Sequence, residues 1–379
     1  MREDGRCRCL LKLAIIGLSN SGKTTVFNAL TGQNLETTLY PSVSGEPHFG
    51  VVKVPDRRVD TLAGIYKPKK VAFATVEYID FLGLTKGDVE QNRKVFDLIK
   101  DADAVVHVVR AFESEAVSHP LNEINPLKDI ETLELELIFG DLEFVEKRLA
   151  RMEESARKGK KPSESEKRLL MKCREALEKE IPLRNIHFDE DEERAMKPLQ
   201  FISIKPELVV LNVGESDLNT EKIISIQKNL ETFFGSRGKG SSGSRPYECL
   251  SLCGKIEMEI AQLPAEEARA FLDDLGIQEP ALNKLIHVSY DLLGLISFLT
   301  VGEDEVRAWT IQKGTDAHKA AGKIHSDIER GFIRAEVVGY EEFIASGTMH
   351  AAREKGLLRL EGKTYEVKDG DIINFRFNV

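Results

Sequence analysis

The stretch Gly17-Leu18-Ser19-Asn20-Ser21-Gly22-Lys23-Thr24 decides the fold of the first part of the chain. It follows an apolar run at residues 11–16 and precedes a helix-forming run at residues 25–30. A strand, a glycine-bounded loop and a helix in this order form a phosphate-binding loop, because inward backbone N–H groups and the helix N-terminus attract an anion. The stretch therefore predicts a site for a nucleoside triphosphate. The expected phosphate-binding residues are Asn20, Ser21, Gly22, Lys23, Thr24 and Thr25.

Composition and charge indicate an ordinary globular chain with free thiols. The 379 residues are 41% hydrophobic and 31% charged, which is enough for two or three domains with their own cores. Five irregularly spaced cysteines do not resemble a disulfide framework, so a cytoplasmic location is expected. The net charge of −10 argues against a protein that coats nucleic acid, although a local basic surface for structured RNA stays compatible with it.

The order of apolar patterns along the chain predicts an α/β protein with several parts. β-Branched runs that alternate with helical stretches indicate a mainly parallel sheet buried on both faces. Apolar residues spaced three and four apart between residues 128 and 198 indicate a helical hairpin inserted into that domain. The predicted organisation is a disordered tail at 1–10, a nucleotide-binding domain at 11–127 and 199–292, the antiparallel coiled-coil hairpin at 128–198, and a small α+β domain at 293–379.

A second motif of a nucleotide switch follows a predicted strand that ends at Ile79. The segment is Asp80-Phe81-Leu82-Gly83, in which Asp80 can hold Mg²⁺ through a water and the Gly83 N–H can contact the γ-phosphate. Many switches then have a glutamine that orients the attacking water. This chain has Leu84, whose alkyl side chain cannot do so. Hydrolysis is therefore expected to be slow or to depend on a group from elsewhere.

The predicted base-binding segment is Asn212-Val213-Gly214-Glu215, which follows an apolar strand. Guanine-specific switches have Asn-Lys-x-Asp here, and the Asp accepts hydrogen bonds from the guanine edge. Glu215 is one methylene longer, and the lysine that packs beneath the base is absent. Each hydrogen-bonding group left unsatisfied costs about 1–3 kcal/mol, so the segment favours adenine over guanine.

With these motifs in place, the sequence resembles the YchF family of Obg-like P-loop ATPases over residues 11–379. The resemblance is strongest in the C-terminal third, at residues 305–310, 320–325, 331–336 and 367–371, which look like a TGS domain of β-grasp fold. It implies a P-loop NTPase domain with an inserted hairpin and a C-terminal TGS domain. It also implies a ribosome-associated ATPase, with Mg²⁺ as cofactor and ribosomal RNA or the ribosome as partner.

The resemblance assigns further site residues and shows where this chain departs from the family. Cys253 and Gly254 fall in the loop beside the base, and Ser44 stands where the family has a Mg²⁺-contacting threonine. Residues 86–93 replace a glycine-rich tract, which implies a stiffer second switch. His119 lies in a loop where the family tends to carry a histidine, and a mobile histidine there could position water. An exposed loop histidine without a role is the alternative.

Three functions are compatible with these residues. The first is a slow Mg²⁺-dependent ATPase that associates with the ribosome, with Lys23 and His119 as catalytic residues and Thr24, Ser44 and Asp80 at the metal. The expected base contacts are Asn212, Val213 and Glu215. The alternatives are a non-hydrolysing module gated by ATP and a GTPase translation factor. A monomer with no DNA or membrane partner is expected.

Overall fold

The computed structural model describes residues 11–35, 47–81, 83–159, 161, 163–218, 220–236 and 247–378. The tail expected at residues 1–10 and the predicted metal ligand Ser44 lie outside these ranges. The chain divides into two compact units, residues 1–51 with 77–285 and residues 52–76 with 286–379. Each unit is built around its own sheet of six strands.

The regular elements alternate between strands and helices along most of the chain. The strands are β1 (Lys12–Ile16), β2 (His48–Lys53), β3 (Lys70–Ala72), β4 (Thr75–Asp80), β5 (Ala104–Ala111), β6 (Glu207–Val213), β7 (Tyr247–Leu252), β8 (Leu295–Thr300), β9 (Glu305–Gln312), β10 (Phe332–Gly339), β11 (Arg359–Glu361) and β12 (Asp371–Phe377). The helices are α1 (Lys23–Thr31), α2 (Arg57–Tyr66), α3 (Val89–Ile99), α4 (Pro126–Arg157), α5 (Glu164–Glu178), α6 (Glu190–Met196), α7 (Glu221–Ser236), α8 (Gly254–Gln262), α9 (Ala265–Asp274), α10 (Ala281–Leu292), α11 (Ala317–Ile324), α12 (Ser326–Arg330), α13 (Tyr340–Ser346) and α14 (Met349–Glu354).

The first unit contains the predicted parallel sheet. Its strand order is β2-β4-β1-β5-β6-β7, and the pairs from β4 through β7 are all parallel. Every residue of β5 and of β6 is buried, as expected for strands covered on both faces. The carboxyl ends of β1, β4, β5 and β6 therefore lie along one edge of the sheet, where ligands of open α/β sheets bind.

Helices cover both faces of this sheet. On one face α3 and α4 pack through residues such as Phe96, Leu133 and Leu137. Helices α7 and α8 pack in a neighbouring cluster through residues such as Ile223 and Ile256. The α/β class and the P-loop domain architecture predicted from the sequence are thus confirmed.

The inserted segment folds as a helical pair that turns back on itself. Helix α4 is longer than the predicted segment at its start, because Asn125 caps it and Pro126 occupies its first turn. Apolar residues of the two helices pack together, with Ile138, Val145 and Leu149 of α4 in one cluster with Leu170 and Leu177 of α5. Of the helices within the described ranges, α4 included, none combines the length and the apolar character that crossing a membrane requires.

The second unit is a mixed sheet of strand order β11-β10-β12-β8-β9-β3 with short helices packed on it. It includes residues 52–76, which the sequence analysis placed with the nucleotide-binding domain. The reason for the difference is that β3 pairs in parallel with β9, from Lys70–Glu305 to Ala72–Arg307. Helices α11 and α12 follow each other closely in this unit and are separated by His325, whose backbone is extended at φ −163°.

Candidate functional site

The predicted phosphate loop connects β1 to α1 at the carboxyl edge of the first sheet. No side chain caps the start of α1, where Gly22 has a φ of +91°. The first N–H groups of α1 are therefore free of a capping side chain and can bind an anion. A Cβ atom on Gly22 would lie 2.2 Å from Nδ2 of Asn212, so both the backbone angle and the lack of space require glycine.

Lys23 is buried at the start of α1 and its ammonium group stays inside the loop. Its Nζ donates a hydrogen bond of 2.9 Å to the carbonyl oxygen of Leu18. Burial lowers the pKa of Lys23 to about 8, and the nearby carboxylate of Asp80 opposes this shift only in part. A polyanionic ligand would stabilise the charged form of this buried side chain.

Thr24 and Asp80 come together as the sequence predicts for a metal site. The Thr24 hydroxyl donates a hydrogen bond of 2.9 Å to Oδ2 of Asp80. Oδ1 of Asp80 is buried and has no hydrogen-bond partner among the described residues. Burial raises the pKa of Asp80, although Lys23 and Thr24 act against the rise. A hydroxyl and a buried carboxylate oxygen are the hard ligands that Mg²⁺ prefers, so these residues fit that ion.

The second switch segment lies directly against the phosphate loop. A Cβ atom on Gly83 would be 2.9 Å from Nζ of Lys23 and 2.8 Å from Cα of Ser19, so only glycine fits. The next residue, Leu84, donates its N–H to the carbonyl oxygen of Gly17 at 3.0 Å. The Leu84 side chain is 1% exposed and belongs to the core beneath the sheet. Its burial agrees with the expectation that it cannot orient water.

The structure holds His119 differently from the mobile or exposed histidine that the sequence suggested. The ring is buried, and its Nε2 lies 2.9 Å from Oδ2 of Asp129 on α4. Its Nδ1 accepts a hydrogen bond of 3.1 Å from the Leu121 N–H, so Nε2 carries the proton and donates to Asp129. Both ring nitrogens are engaged, and the histidine cannot accept a proton from water in this conformation.

The loop that carries His119 nevertheless contacts the phosphate loop. The Asn20 side chain donates a hydrogen bond of 3.2 Å to the carbonyl oxygen of Ser118. Asn20 itself adopts a left-handed backbone conformation with φ of +63°, which asparagine tolerates better than most residues. The predicted proximity of His119 to the site is therefore a property of its loop, whereas its side chain points to α4.

Of the predicted base-binding residues, Asn212, Val213 and Cys253 are buried, whereas Glu215 is exposed. Asn212 connects two loops, since its Nδ2 donates to the Ser21 carbonyl oxygen and its Oδ1 accepts from the Gly254 N–H, both at 3.0 Å. Val213 and Cys253 are buried, and burial raises the pKa of the Cys253 thiol. The Asn212 side chain therefore holds the Ser21 and Gly254 loops together at the predicted base-binding segment.

Glu215 is exposed and forms an ion pair that the sequence analysis did not foresee. Its Oε1 lies 2.6 Å from Nζ of Lys255, the second residue of α8. Glu215 raises the pKa of Lys255. Exposed pairs of this kind contribute little to stability, so the pair can open for a ligand. Thr25 lies close to this loop, because a Cβ on Gly254 would be 3.5 Å from its methyl carbon.

Two residues at the carboxyl end of β5, Arg110 within the strand and Phe112 just after it, were missed by the sequence analysis. The Arg110 guanidinium stacks on the Phe112 ring at 4.5 Å and donates a hydrogen bond of 2.9 Å to the Val117 carbonyl oxygen. A Cβ atom on Gly22 would lie 4.0 Å from the Phe112 ring, and one on Gly214 would lie 3.9 Å from its Cβ. The position of these residues at the carboxyl end of a parallel strand was the available signal.

Comparisons with known proteins agree with this arrangement of parts. Residues 12–138 match a family model described as "50S ribosome-binding GTPase". Residues 295–378 match the model YchF-GTPase_C, which is described as a protein of unknown function.

Curated relatives align with almost the whole chain. The protein named "Ribosome-binding ATPase YchF" of Bacillus subtilis (strain 168) is 43% identical over 97% of this chain and 100% of its own length. The proteins of the same name from Haemophilus influenzae (strain ATCC 51907 / DSM 11121 / KW20 / Rd) and Escherichia coli O157:H7 are 40% and 38% identical, each over 97% of this chain and 99% of its own length. A solved structure of the Schizosaccharomyces pombe YchF GTPase superimposes with a TM-score of 0.77 at 28% identity, covering 97% of both chains.

Proposed function

This chain belongs to the YchF family, and from that membership we propose that it is a Mg²⁺-dependent ATPase that hydrolyses ATP slowly and associates with the ribosome. One observation carries the nucleotide part of the proposal. The Thr24 hydroxyl and the buried Asp80 carboxylate lie 2.9 Å apart beside the buried ammonium group of Lys23. A metal-bound polyphosphate supplies the charges that this group of side chains leaves unbalanced.

The phosphate loop residues bind and orient the polyphosphate in this proposal. The N–H groups at the start of α1 and the Lys23 ammonium group stabilise negative charge on the transferred phosphoryl group. Thr24 and Asp80 hold Mg²⁺, with Ser44 proposed as a further ligand. When bound, Mg²⁺ neutralises part of the phosphate charge.

We attribute slow hydrolysis to Leu84 and His119, the two residues at positions from which the attacking water could be oriented. Leu84 is buried and has no polar atom in its side chain. We propose that His119 positions the water after its loop rearranges, because its two nitrogens must first leave Asp129 and the Leu121 N–H. The energy needed to break both contacts is a reason for a low basal rate.

Single-turnover hydrolysis tests the enzymatic part of the proposal. We expect slow phosphate release from ATP, faster release with ribosomes, and little release from His119→Ala under either condition. His287→Ala is a matched control, since His287 is exposed on α10 and lies outside the segments proposed below to contact ribosomal RNA. Absence of phosphate release under every condition would contradict an ATPase.

Base choice rests on Glu215 in this proposal, because its longer side chain and its pairing with Lys255 do not suit the guanine edge. The names of the relatives differ on this point, since the bacterial proteins are called ATPases and the yeast structure is called a GTPase. Calorimetric titration with ATP, GTP and ADP should therefore show tighter binding of ATP than of GTP. We expect Glu215→Asp to improve GTP binding, while the same change at the exposed Glu221 has no effect. Clear preference of the unmodified protein for GTP would support a GTPase translation factor instead.

A module that binds ATP without hydrolysing it is the second candidate. The engaged nitrogens of His119 and the buried Leu84 favour it. In that case ATP changes ribosome affinity although no phosphate is released. Co-sedimentation with ribosomes in the presence of ATP, ADP or no nucleotide measures that change directly.

The domain boundaries and the assembly state also remain proposals. We propose that the hairpin at residues 128–198 and a TGS domain of β-grasp fold at residues 293–379 provide the surfaces that contact ribosomal RNA. We further propose that the protein acts as a cytoplasmic monomer. Light scattering of the purified protein tests the monomer, and crosslinking to ribosomes tests the two surfaces.

A further inference from the structure

Side chains of α3 form hydrogen bonds with the backbone N–H and carbonyl groups of the segment that follows β4. Nε2 of Gln91 donates a hydrogen bond of 2.9 Å to the Gly83 carbonyl oxygen. Asn92 brackets Thr85, because its Oδ1 accepts from the Thr85 N–H at 3.1 Å and its Nδ2 donates to the Thr85 carbonyl oxygen at 2.8 Å. Asn92 is 1% exposed, so water cannot easily replace these bonds.

Glu136 of α4 connects Asn92 and the switch segment to the helical hairpin. Its Oε1 accepts a hydrogen bond of 2.9 Å from the Gly87 N–H, and its Oε2 accepts one of 2.8 Å from Nδ2 of Asn92. The carboxylate thus binds the backbone of the second switch segment with one oxygen and, with the other, the α3 side chain that holds this segment. Hydrogen bonds to a charged acceptor are about twice as strong as those between neutral groups.

Glu136 lies where α4 leaves the sheet and enters the hairpin. Its neighbours Leu133 and Leu137 pack in the core beneath the sheet. Ile138 and Val145 pack in the core of the hairpin. A rigid helix that belongs to both cores can transmit a displacement from one end to the other.

The apolar contact between α3 and α4 has an open cavity beside it. The two helices touch where a Cβ on Gly140 would be 2.9 Å from the Phe96 ring. Beside this contact they leave a cavity of about 540 Å³, lined in part by Phe139 and Phe144. The Arg93–Glu143 pair at the rim is exposed and contributes little. The Glu136 carboxylate is therefore the main polar connection between the switch segment and α4.

We propose that Glu136 is a positioning residue that keeps Gly83 beside Lys23 and thereby sets the preference for ATP over ADP. The inference rests on the proposed function, because it concerns the same nucleotide site. The contact of Gly83 with the phosphate loop requires the present backbone conformation of residues 83–87. Glu136 stabilises that conformation through its hydrogen bonds with Gly87 and Asn92. Through the same hydrogen bonds, a γ-phosphate bound at Gly83 affects the position of α4.

Nucleotide affinities of Glu136→Gln test the positioning role. The amide keeps one acceptor but turns its NH₂ group toward one of the two N–H donors, so one bond is lost and one donor is left unpaired. We expect ATP affinity to fall about tenfold, which corresponds to roughly 1.4 kcal/mol, while ADP affinity stays within about twofold. Glu136→Asp keeps the charge and is expected to recover part of the ATP affinity. Glu146→Gln, at an exposed position of the same helix, should match the unmodified protein.

Hydrogen–deuterium exchange of the unmodified protein provides a second measurement that needs no variant. ATP should slow exchange relative to ADP both at residues 83–92 and at residues 130–140 of α4. Slower exchange at 83–92 alone would overturn the coupling, as would an unchanged ATP-to-ADP affinity ratio in Glu136→Gln. These results differ from a failure of the proposed function, in which the unmodified protein binds no nucleotide at all.

Discussion

Binding of ATP at pH 8 should draw a proton onto Lys23. The pKa of this lysine is about 8 in the free protein, because burial outweighs the attraction of Asp80. Half of the molecules are therefore neutral at Lys23 at pH 8, and the incoming phosphates favour the charged form. If the bound pKa exceeds ~10, uptake should be about 0.1 proton at pH 7, 0.5 at pH 8 and 0.9 at pH 9.

Calorimetry in buffers of different ionisation enthalpy measures this uptake. The slope of the observed binding enthalpy against the buffer ionisation enthalpy equals the number of protons exchanged. Phosphate monoesters have a second pKa near ~6, so the ligand releases almost no proton of its own at pH 8 and above. Lys23→Arg is the control, since a guanidinium group stays protonated throughout this range.

A depressed lysine pKa requires uptake that grows as the pH rises from 7 to 9. A slope of zero at both pH 8 and pH 9, or release of protons, would show that Lys23 is already fully charged in the free protein. The buried ammonium group would then need a stronger partner than the Leu18 carbonyl oxygen and Asp80.

Three substitutions test further contacts in the first unit. Asn212→Ala removes both hydrogen bonds between the Ser21 and Gly254 loops, so denaturant unfolding should show a loss of about 2–4 kcal/mol and calorimetry a weaker nucleotide affinity. Leu84→Gln places an amide in the core and should lower the unfolding free energy by about 1–3 kcal/mol without faster single-turnover hydrolysis; a faster rate would contradict the burial argument. Arg184→Ala removes the buried cation that lies 2.9 Å from Glu207 and 3.4 Å from Glu134, and should lower the free energy of unfolding by about 3–5 kcal/mol. A decrease below about 1 kcal/mol would mean that this buried ion network is solvated.

Local patterns predicted the parts of the site that lie within one strand–loop–helix unit. The order of apolar run, glycines and helix formers placed Lys23 and Thr24 at the start of α1. The Asp80 position followed from its place after an apolar strand, and parallel pairing of β1 with β4 brings it to Thr24. Such contacts follow from general rules for parallel sheets, so no long-range information is needed.

Contacts between distant segments could not be predicted in the same way. Ser118-His119-Pro120 has the composition of an exposed loop, and the burial of His119 depends on a carboxylate of α4, which starts after it. Asp129 looks like an ordinary charged residue in the first turn of a helix. Glu136 likewise resembles any solvent-facing residue until α3 is placed beside α4. Sequence periodicity describes which face is apolar, but it does not identify the polar group on another element.

The pairing of β3 with β9 has a consequence for synthesis of the protein. Residues 70–72 leave the ribosome more than 200 residues before residues 305–307, their partners in the sheet. At 5–20 residues per second, the earlier segment waits on the order of 10–50 seconds for its partner. During that interval the apolar side chains of Val59 and Leu62, which are fully covered in the finished fold, lack the strand that α2 packs against. A nascent chain of this protein therefore carries an early segment that lacks its sheet partner, and removal of residues 286–379 would leave that segment without this partner permanently.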